Sequence, residues 1–416
     1  MGKNKVVENI IFFFNFFFLF VITEIILWHD ITWRFLYNFT IIFMPFWFFI
    51  VKYLIYKYKT FKLHPLNYWF SFLLILDLGI ILNIFAFKYF SNFAVTPLFV
   101  SITTTLMMNF YLGFVSTLAF SFYFSFLFGN PLKTFIFLLI IGLISSYLSQ
   151  KIYSRVRIVI PFISATISQM FLYGLYNSVD FTSIPQIFIS NFLQMLFVLG
   201  LLPYLEYITR VYSDIGLLEL GNLNHPLLRK LSLNASGTYY HSLIIANLVE
   251  SASEVINANS ILLRVGSYFH DIGKSLRPVF FTENQKGINP HDKINPKLSA
   301  LILNLHVIKG QELARKYKLP ILIEDLIVQH HGTRIKRFFF HKSIEQNEKL
   351  SPDVFKYPGP IPQFKEAAIL MIADNIEAIT RSMKELNKKS LEEKSMNHTR
   401  ISYPEIYCKK CSAKRS

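Results

Sequence analysis

Residues 237–274, GTYYHSLIIANLVESASEVINANSILLRVGSYFHDIGK, carry His241 and the adjacent pair His270–Asp271. His241 falls in line with Ile245, Leu248, Ala252 and Val255 at helical spacing, which predicts a histidine that points inward. A second helix, predicted over Ile261–Lys274, sets His270 in line with Leu263 and Ser267. An aspartate beside an inward histidine is costly to bury unless something positive compensates it, and a metal ion would do so.

The same setting recurs downstream. A helix expected to be broken or bent near Gly310 places His306 on one face with Ser299 and Ile302, and an apolar helix ends in His330–His331 with Gly332 as its stop. Asp374 shares a stripe with Ala367, Met371 and Ala378. Five of the eleven histidines and two aspartates, with no thiolate, make a nitrogen-and-oxygen ligand set. It suits iron or manganese, or less selectively zinc, nickel or cobalt. Seven ligands are too many for one catalytic ion that keeps positions open for water and substrate, whereas they fit two ions with Asp271 as the natural bridge. Two cations about 3.5–4 Å apart are a standard device for activating water and stabilising an in-line displacement at phosphorus, so phosphoester hydrolysis is the expected chemistry.

The elements that must position these residues follow a chain half of a different kind. Apolar residues make up 53% of the sequence and charged residues 16%, with 44 Phe, and between Tyr68 and Gln150 the only Asp, Glu, Lys or Arg are Asp77, Lys88 and Lys133. That half belongs in a bilayer. A retained anchor is expected over Asn9–Trp28, then spans near 37–56, 68–86, 93–109, 112–128, 132–150, 156–176 and 186–206, about eight in all. Lys3, Lys5, Lys52, Lys57, Lys59, Lys62, Lys151, Arg155, Arg157 and Arg210 fall on the side of the C-terminal domain, against Arg34, Lys88 and Lys133 on the other. This places that domain in the cytoplasm. The net charge of +16 is read as loop and lipid-facing charge, not as a surface for a nucleic acid polymer. Glu24 and Asp77, inside expected spans, are read as snorkelling and as paired within the bundle. Cys408 and Cys411, the only cysteines, exclude a disulfide framework.

The expected fold class is therefore all-α: a polytopic transmembrane helical bundle followed by a cytoplasmic all-helical domain. The divisions are a bundle over 1–206, a connector over 207–236 in which His225 is structural, the metal-site domain over 237–386, and a charged tail over 387–416.

The H…HD…D series of His241, His270–Asp271 and Asp374 resembles the signature of HD-superfamily metal phosphohydrolases, with His306 and His330–His331 as the extended set of two-metal members. The phrases DIGLLELGNLNHPLLRKL, GTYYHSLIIANL, VGSYFHDIGK, RPVFFTENQ, NPHDK, QHHGT, YPGPIPQFKEAAI and MIADNIEA, over about 205–382, look like the bacterial 7TM-HD family of cyclic-di-AMP phosphodiesterases. The resemblance implies an HD domain with one ion on His241, His270, Asp271 and Asp374 and the other on His306, His330, His331 and the bridging Asp271. It also implies manganese or iron as the two divalent ions, and a metal-activated hydroxide that opens cyclic-di-AMP to linear pApA. Lys274 would offset phosphate charge with help from Arg277, and Asn289, His291, Thr333, Tyr357 and Gly359 are pocket candidates. The cell inner membrane, the lipid bilayer and a homodimer complete the implied setting.

The chain departs from the family's pattern in two ways. Only about eight residues, His29 to Tyr37, separate the first two spans where the family carries a large extracellular domain, and KELNKKSLEEK is followed at once by the terminal phrase NHTRISYPEI. Two other readings stand beside this one. The first is hydrolysis of cyclic-di-GMP or another nucleotide, although the G-Y-P phrase of cyclic-di-GMP hydrolases is replaced by Gly332-Thr333-Arg334. The second is a non-catalytic, nucleotide-binding membrane receptor.

Overall fold

The computed structural model describes residues 63–382 apart from 91, 126–130 and 177–181, together with residues 52, 57 and 61. The first expected span with Glu24, nearly all of the second, the short connection between them, and the tail with Cys408 and Cys411 lie outside the described residues. The described residues are helical, with no β-structure among them beyond one isolated bridge, Ile335–Lys356. The chain divides into two compact units, 1–216 and 217–416.

In the first unit the described helices are α1 (Pro65–Tyr89), α2 (Leu98–Met107), α3 (Phe110–Ser125), α4 (Pro131–Leu148), α5 (Val159–Tyr176) and α6 (Ser183–Thr209). Segments Pro65–Tyr89, Pro131–Leu148, Arg155–Leu175 and Ser183–Thr209 are long and apolar enough to cross a membrane. Of the expected spans at 93–109 and 112–128, the first is a shorter helix in the structure, and the second runs into residues 126–130, which lie outside the described residues. At 1.5 Å per residue, α2 reaches only about 15 Å, short of a hydrocarbon layer of about 30 Å.

The reason is a break before α2. Residues 92–97 leave the α-helix, and their backbone groups are taken up by side chains. Asn83 accepts the Thr96 N–H at 2.8 Å, and just beyond, in the first turn of α2, Gln194 accepts the Phe99 N–H at 3.0 Å. Ser190 and Gln169 donate to the carbonyls of Ala94 and Phe93, each at 2.7 Å. Without such partners an irregular segment within a bilayer-type core leaves costly orphan groups. Around it pack Phe72, Ile75, Ile84, Leu98, Phe99, Ile102, Phe120 and Leu202, all fully buried.

In the second unit the site-bearing helices are α7 (Pro226–Asn234), α8 (Ser236–Val255), α9 (Ser260–Phe269), α10 (Pro296–Lys316), α11 (Ile321–Gln329), α12 (Arg337–Glu345) and α13 (Lys365–Ser382). Their starts follow from local chemistry. The His225 ring accepts the Leu227 N–H ahead of Pro226. The side chains of Asn259 and Asn295 accept N–H groups two residues into α9 and α10. The helix expected over 261–274 stops at Phe269, and a 3-10 turn, Ile272–Leu276, follows His270–Asp271. α10 runs unbroken through Gly310, so no break occurs there. The glycine serves close approach instead: a Cβ there would lie 2.8 Å from Ile327 Cγ2, and Gly273 is its backbone neighbour.

Two expected stripes are rotated. On α8 the buried face is Thr238, His241, Ser242, Ile245, Ala246 and Val249, while Leu248 and Val255 are exposed. On α13 the inward residues beyond Asp374 are Asn375 and Glu377, and Ala378 is exposed.

Candidate metal centre

Five imidazoles and two carboxylates from α8, the α9 end, α10, the α11 end and α13 converge in the second unit, all buried. His270, His306 and His330 share one geometry. Each places Nδ1 within 2.6–2.7 Å of the carbonyl oxygen three residues earlier, on Ser267, Leu303 and Ile327 respectively. A carbonyl only accepts, so Nδ1 carries the proton and donates, which leaves Nε2 with an exposed lone pair. Two of those atoms, on His306 and His330, stand 3.4 Å apart. With no proton between them, two acceptor nitrogens repel unless a cation lies near both.

Asp271 is the hub. Its Oδ2 lies 2.7 Å from Lys274 Nζ and 3.1 Å from His270 Nε2, and its Oδ1 lies 3.5 and 3.6 Å from Nε2 of His306 and His330. Oδ1, together with His270 Nε2 and His331 Nδ1, is buried with no hydrogen-bond partner. Burial would raise the Asp271 pKa, but the neighbouring Lys274 and His270 hold it well below the usual carboxylate range. Lys274 bridges on to Glu283 at 2.9 Å; against the cost of burial, these carboxylates push its pKa above the lysine range. Glu283 is also opposed by burial, yet Lys274 draws it down to about 2.

The other flank is formed by His241, with Nε2 3.1 Å from Asp374 Oδ1 and Nδ1 2.8 Å from Glu377 Oε2. Burial alone would lower its pKa; the two carboxylates outweigh burial and raise it to about 9. Burial pushes His306 down to about 3 and His331 well below its normal value, so both are neutral and free to act as ligands.

Three donor groups, His306–His330–His331, His241–His270–Asp374 and His270–Asp271–His330, each have ligand atoms within 4.8 Å of one another. The bare lone pairs and the unpartnered carboxylate oxygen fit divalent cations, and the absence of sulfur fits hard or borderline ones.

The structure thus gathers His241, His270, Asp271, His306, His330, His331, Asp374 and Lys274. Of the remaining candidates, Tyr357 packs on a site histidine and Arg277 shares a cavity with another, His306. Arg277 is exposed and lines a cavity of about 230 Å³ with Phe281, Ile302 and Lys309. Asn289 accepts the His291 N–H and a hydrogen bond from Gln285, and the buried His291 faces the Phe280 carbonyl at 3.0 Å, so both knit their own loop. Thr333 is exposed. Tyr357 lies 4.2 Å from His331, centroid to centroid. A Cβ on Gly359 would fall 1.9 Å from the Val328 carbonyl oxygen, so this glycine permits backbone contact.

Two carboxylates went unread in the sequence. Glu377 lies three residues after Asp374, a spacing that puts both on one helix face. Glu283 reaches Lys274 only through a loop fold that no periodicity signals.

Residues 238–379 match the family described as HD domain, and residues 32–213 match the family described as 7TM receptor with intracellular HD hydrolase. The chain belongs to the 7TM-HD family. Like its family it is a multi-pass membrane protein, and its HD domain implies divalent-metal binding. Among similar proteins, "Cyclic-di-AMP phosphodiesterase PgpH" of Bacillus subtilis is 46% identical over 205 residues, covering 49% of this chain and 29% of that protein. The protein of the same name from Listeria monocytogenes is 43% identical over 199 residues, covering 48% and 28%. The chain thus spans less than a third of the length of these relatives. A crystal structure of the L. monocytogenes PgpH HD domain in complex with cyclic-di-AMP is 42% identical with a TM-score of 0.42, covering 44% of this 7TM-HD chain and 89% of that one.

Proposed function

We propose that this chain is a membrane-bound, metal-dependent phosphodiesterase that hydrolyses cyclic-di-AMP to linear pApA. It would use two divalent cations, manganese or iron, on the cytoplasmic face of a bacterial inner membrane. The observation that carries the reading is the convergence of the bare Nε2 atoms of His270, His306 and His330 on the Asp271 carboxylate, the first at Oδ2 and the other two at its unpartnered Oδ1. Identity of 43–46% to two cyclic-di-AMP phosphodiesterases supports the substrate. Ten Lys and Arg on the HD side of the spans, against three, support the orientation.

His306, His330 and His331 would hold one ion and His241, His270 and Asp374 the other, with Asp271 shared between them. Bound there, divalent cations supply Lewis acidity, lowering the pKa of water and neutralising charge on the phosphodiester oxygens. The chain's own residues prepare that chemistry. The carbonyls of Ser267, Leu303 and Ile327 fix the ring tautomers, and Glu377 orients His241. Lys274, locked between Asp271 and Glu283, keeps a fixed positive charge beside the bridging carboxylate, where an anionic phosphodiester is drawn. In the net reaction one P–O bond breaks, the hydroxyl of water goes to phosphorus, and its proton goes to the leaving 3′ oxygen.

The test is the detergent-solubilised full chain, loaded with manganese or iron, given cyclic-di-AMP, cyclic-di-GMP and other nucleotides in parallel. Release of pApA, lost in Asp271→Ala, is expected. Metal-loaded protein that turns over none of them overturns the reading, and preferential opening of cyclic-di-GMP overturns the substrate.

A further inference from the structure

Of the five imidazoles, four are oriented by a hydrogen bond on Nδ1, to a backbone carbonyl for His270, His306 and His330 and to Glu377 for His241. His331 is not: its Nδ1 lies 3.5 Å from Asp374 Oδ2 and has no hydrogen-bond partner. Apart from the neighbouring ligand His330, the ring that packs against His331 is Tyr357, with centroids 4.2 Å apart and planes at 33°. Lys336 Nζ stands 3.8 Å from the centroid of that tyrosine ring. The tyrosine ring thus contacts both the His331 ring and the Lys336 amine.

Lys336 is itself fixed. It is 7% exposed, and Nζ donates to Asn304 Oδ1 at 2.6 Å and to the Phe355 carbonyl at 3.2 Å. Asn304 sits on α10 two residues before His306, and its amide donates to the Lys356 carbonyl at 3.1 Å. The segments 334–336 and 355–357 are clasped by the Lys336 N–H to Phe355 carbonyl and Tyr357 N–H to Arg334 carbonyl bonds. Asn304, Lys336 and Tyr357 therefore run as a braced strut from α10 to the His331 ring.

We infer that Lys336, acting through Tyr357, is the positioning residue for His331, replacing by ring packing the hydrogen bond that orients the other four histidines. The inference rests on the metal-centre reading and confines the effect to the three-histidine half of the site. Both hydrogen bonds from Lys336 use N–H donors, so the strut keeps its shape whether the amine is charged or neutral.

Manganese stoichiometry and affinity of the full chain, followed by Mn(II) electron paramagnetic resonance, test it. Lys336→Met and Tyr357→Leu should keep one ion with wild-type affinity and bind the second about tenfold or more weakly, the scale of an outer-shell loss at a metal ligand. The spectrum should change from that of a coupled pair to that of an isolated ion. Tyr357→Phe, which keeps the ring, should retain both ions. Lys336→Met and Tyr357→Leu both binding two ions within twofold of wild type overturns the inference. So does loss of both ions, or of folded protein, in both variants, since the residues would then brace the fold and not one ligand. Wild-type chain that takes up no manganese overturns the metal-centre reading itself and is told apart by that result.

Discussion

Glu377 Oε2 accepts from His241 Nδ1 at 2.8 Å, while the opposite nitrogen of the same ring faces Asp374 Oδ1 at 3.1 Å. One imidazole is thus held between a carboxylate that faces the candidate metal position and one that stands behind it. Arg381 pairs with Glu377 in turn. The order carboxylate, histidine, metal site is the arrangement in which the rear acid fixes the ring and strengthens it as a ligand.

Glu377→Ala should therefore weaken metal binding by about 10–100-fold without removing a ligand. Glu377→Gln, whose amide oxygen still accepts from Nδ1, should lose less. Metal titration of the three proteins checks the ranking, and equal affinities for wild type and Glu377→Ala would dismiss the role.

The Asp271–Lys274–Glu283 chain is a buried charge cluster, with Lys274 Nζ 2.7 and 2.9 Å from the two carboxylates. Removing the central cation strands two buried anions, a loss that costs on the order of 3–5 kcal/mol. Lys274→Met should show that destabilisation in chelator, with partial recovery when Glu283→Gln is added or when divalent metal is supplied. Denaturant unfolding of the four states measures it, and a Lys274→Met chain as stable as wild type in chelator contradicts it.

How much of this could be read beforehand differs by residue. His270, His306 and Asp374 were legible because each lies among inward neighbours at helical spacing, Ser267, Ser299 and Met371 among them, and inward polar groups on apolar helices are expensive. Glu283 and Lys336 were not, since loops place them and loops carry no period. The break at residues 92–97 was hidden for a related reason. Hydropathy records how apolar a stretch is, but not whether Asn83, Gln169, Ser190 and Gln194 arrive from other helices to satisfy its backbone. Gly310 is ambiguous in the sequence because glycine marks both helix breaks and close contacts, and only the neighbour it meets, here Ile327, decides which.

Gly273 is the clearest such contact. A Cβ there would fall 1.9 Å from the His306 carbonyl oxygen and 2.8 Å from the Gly310 nitrogen, both backbone atoms with no freedom to rotate away. Gly273→Ala should push the 272–276 turn off α10 and carry His306 with it, costing about 1–3 kcal/mol as overpacking does. Because Asp271 sits two residues before the turn's contact, metal affinity should fall as well. A variant with wild-type melting temperature and affinity would show that the turn yields freely.

His225 gives a pH dependence outside the metal centre. Its ring caps α7 by accepting the Leu227 N–H at 3.3 Å and packs 5.2 Å from Phe269, so the neutral form is the one the fold uses. Burial lowers its pKa from the ordinary 6.5. A folded pKa below the unfolded one means that the unfolded chain binds the extra proton first. The contribution is fully present above about pH 6.5 and is lost as pH falls through the lower folded value. His291, which burial also lowers, acts in the same direction. The His225 contribution should therefore shrink between pH 7 and pH 5, so in thermal unfolding His225→Asn should lose less stability over that range than wild type, because asparagine caps the helix without titrating. If the variant loses stability with pH as steeply as wild type, the histidine is not among the groups that set the slope.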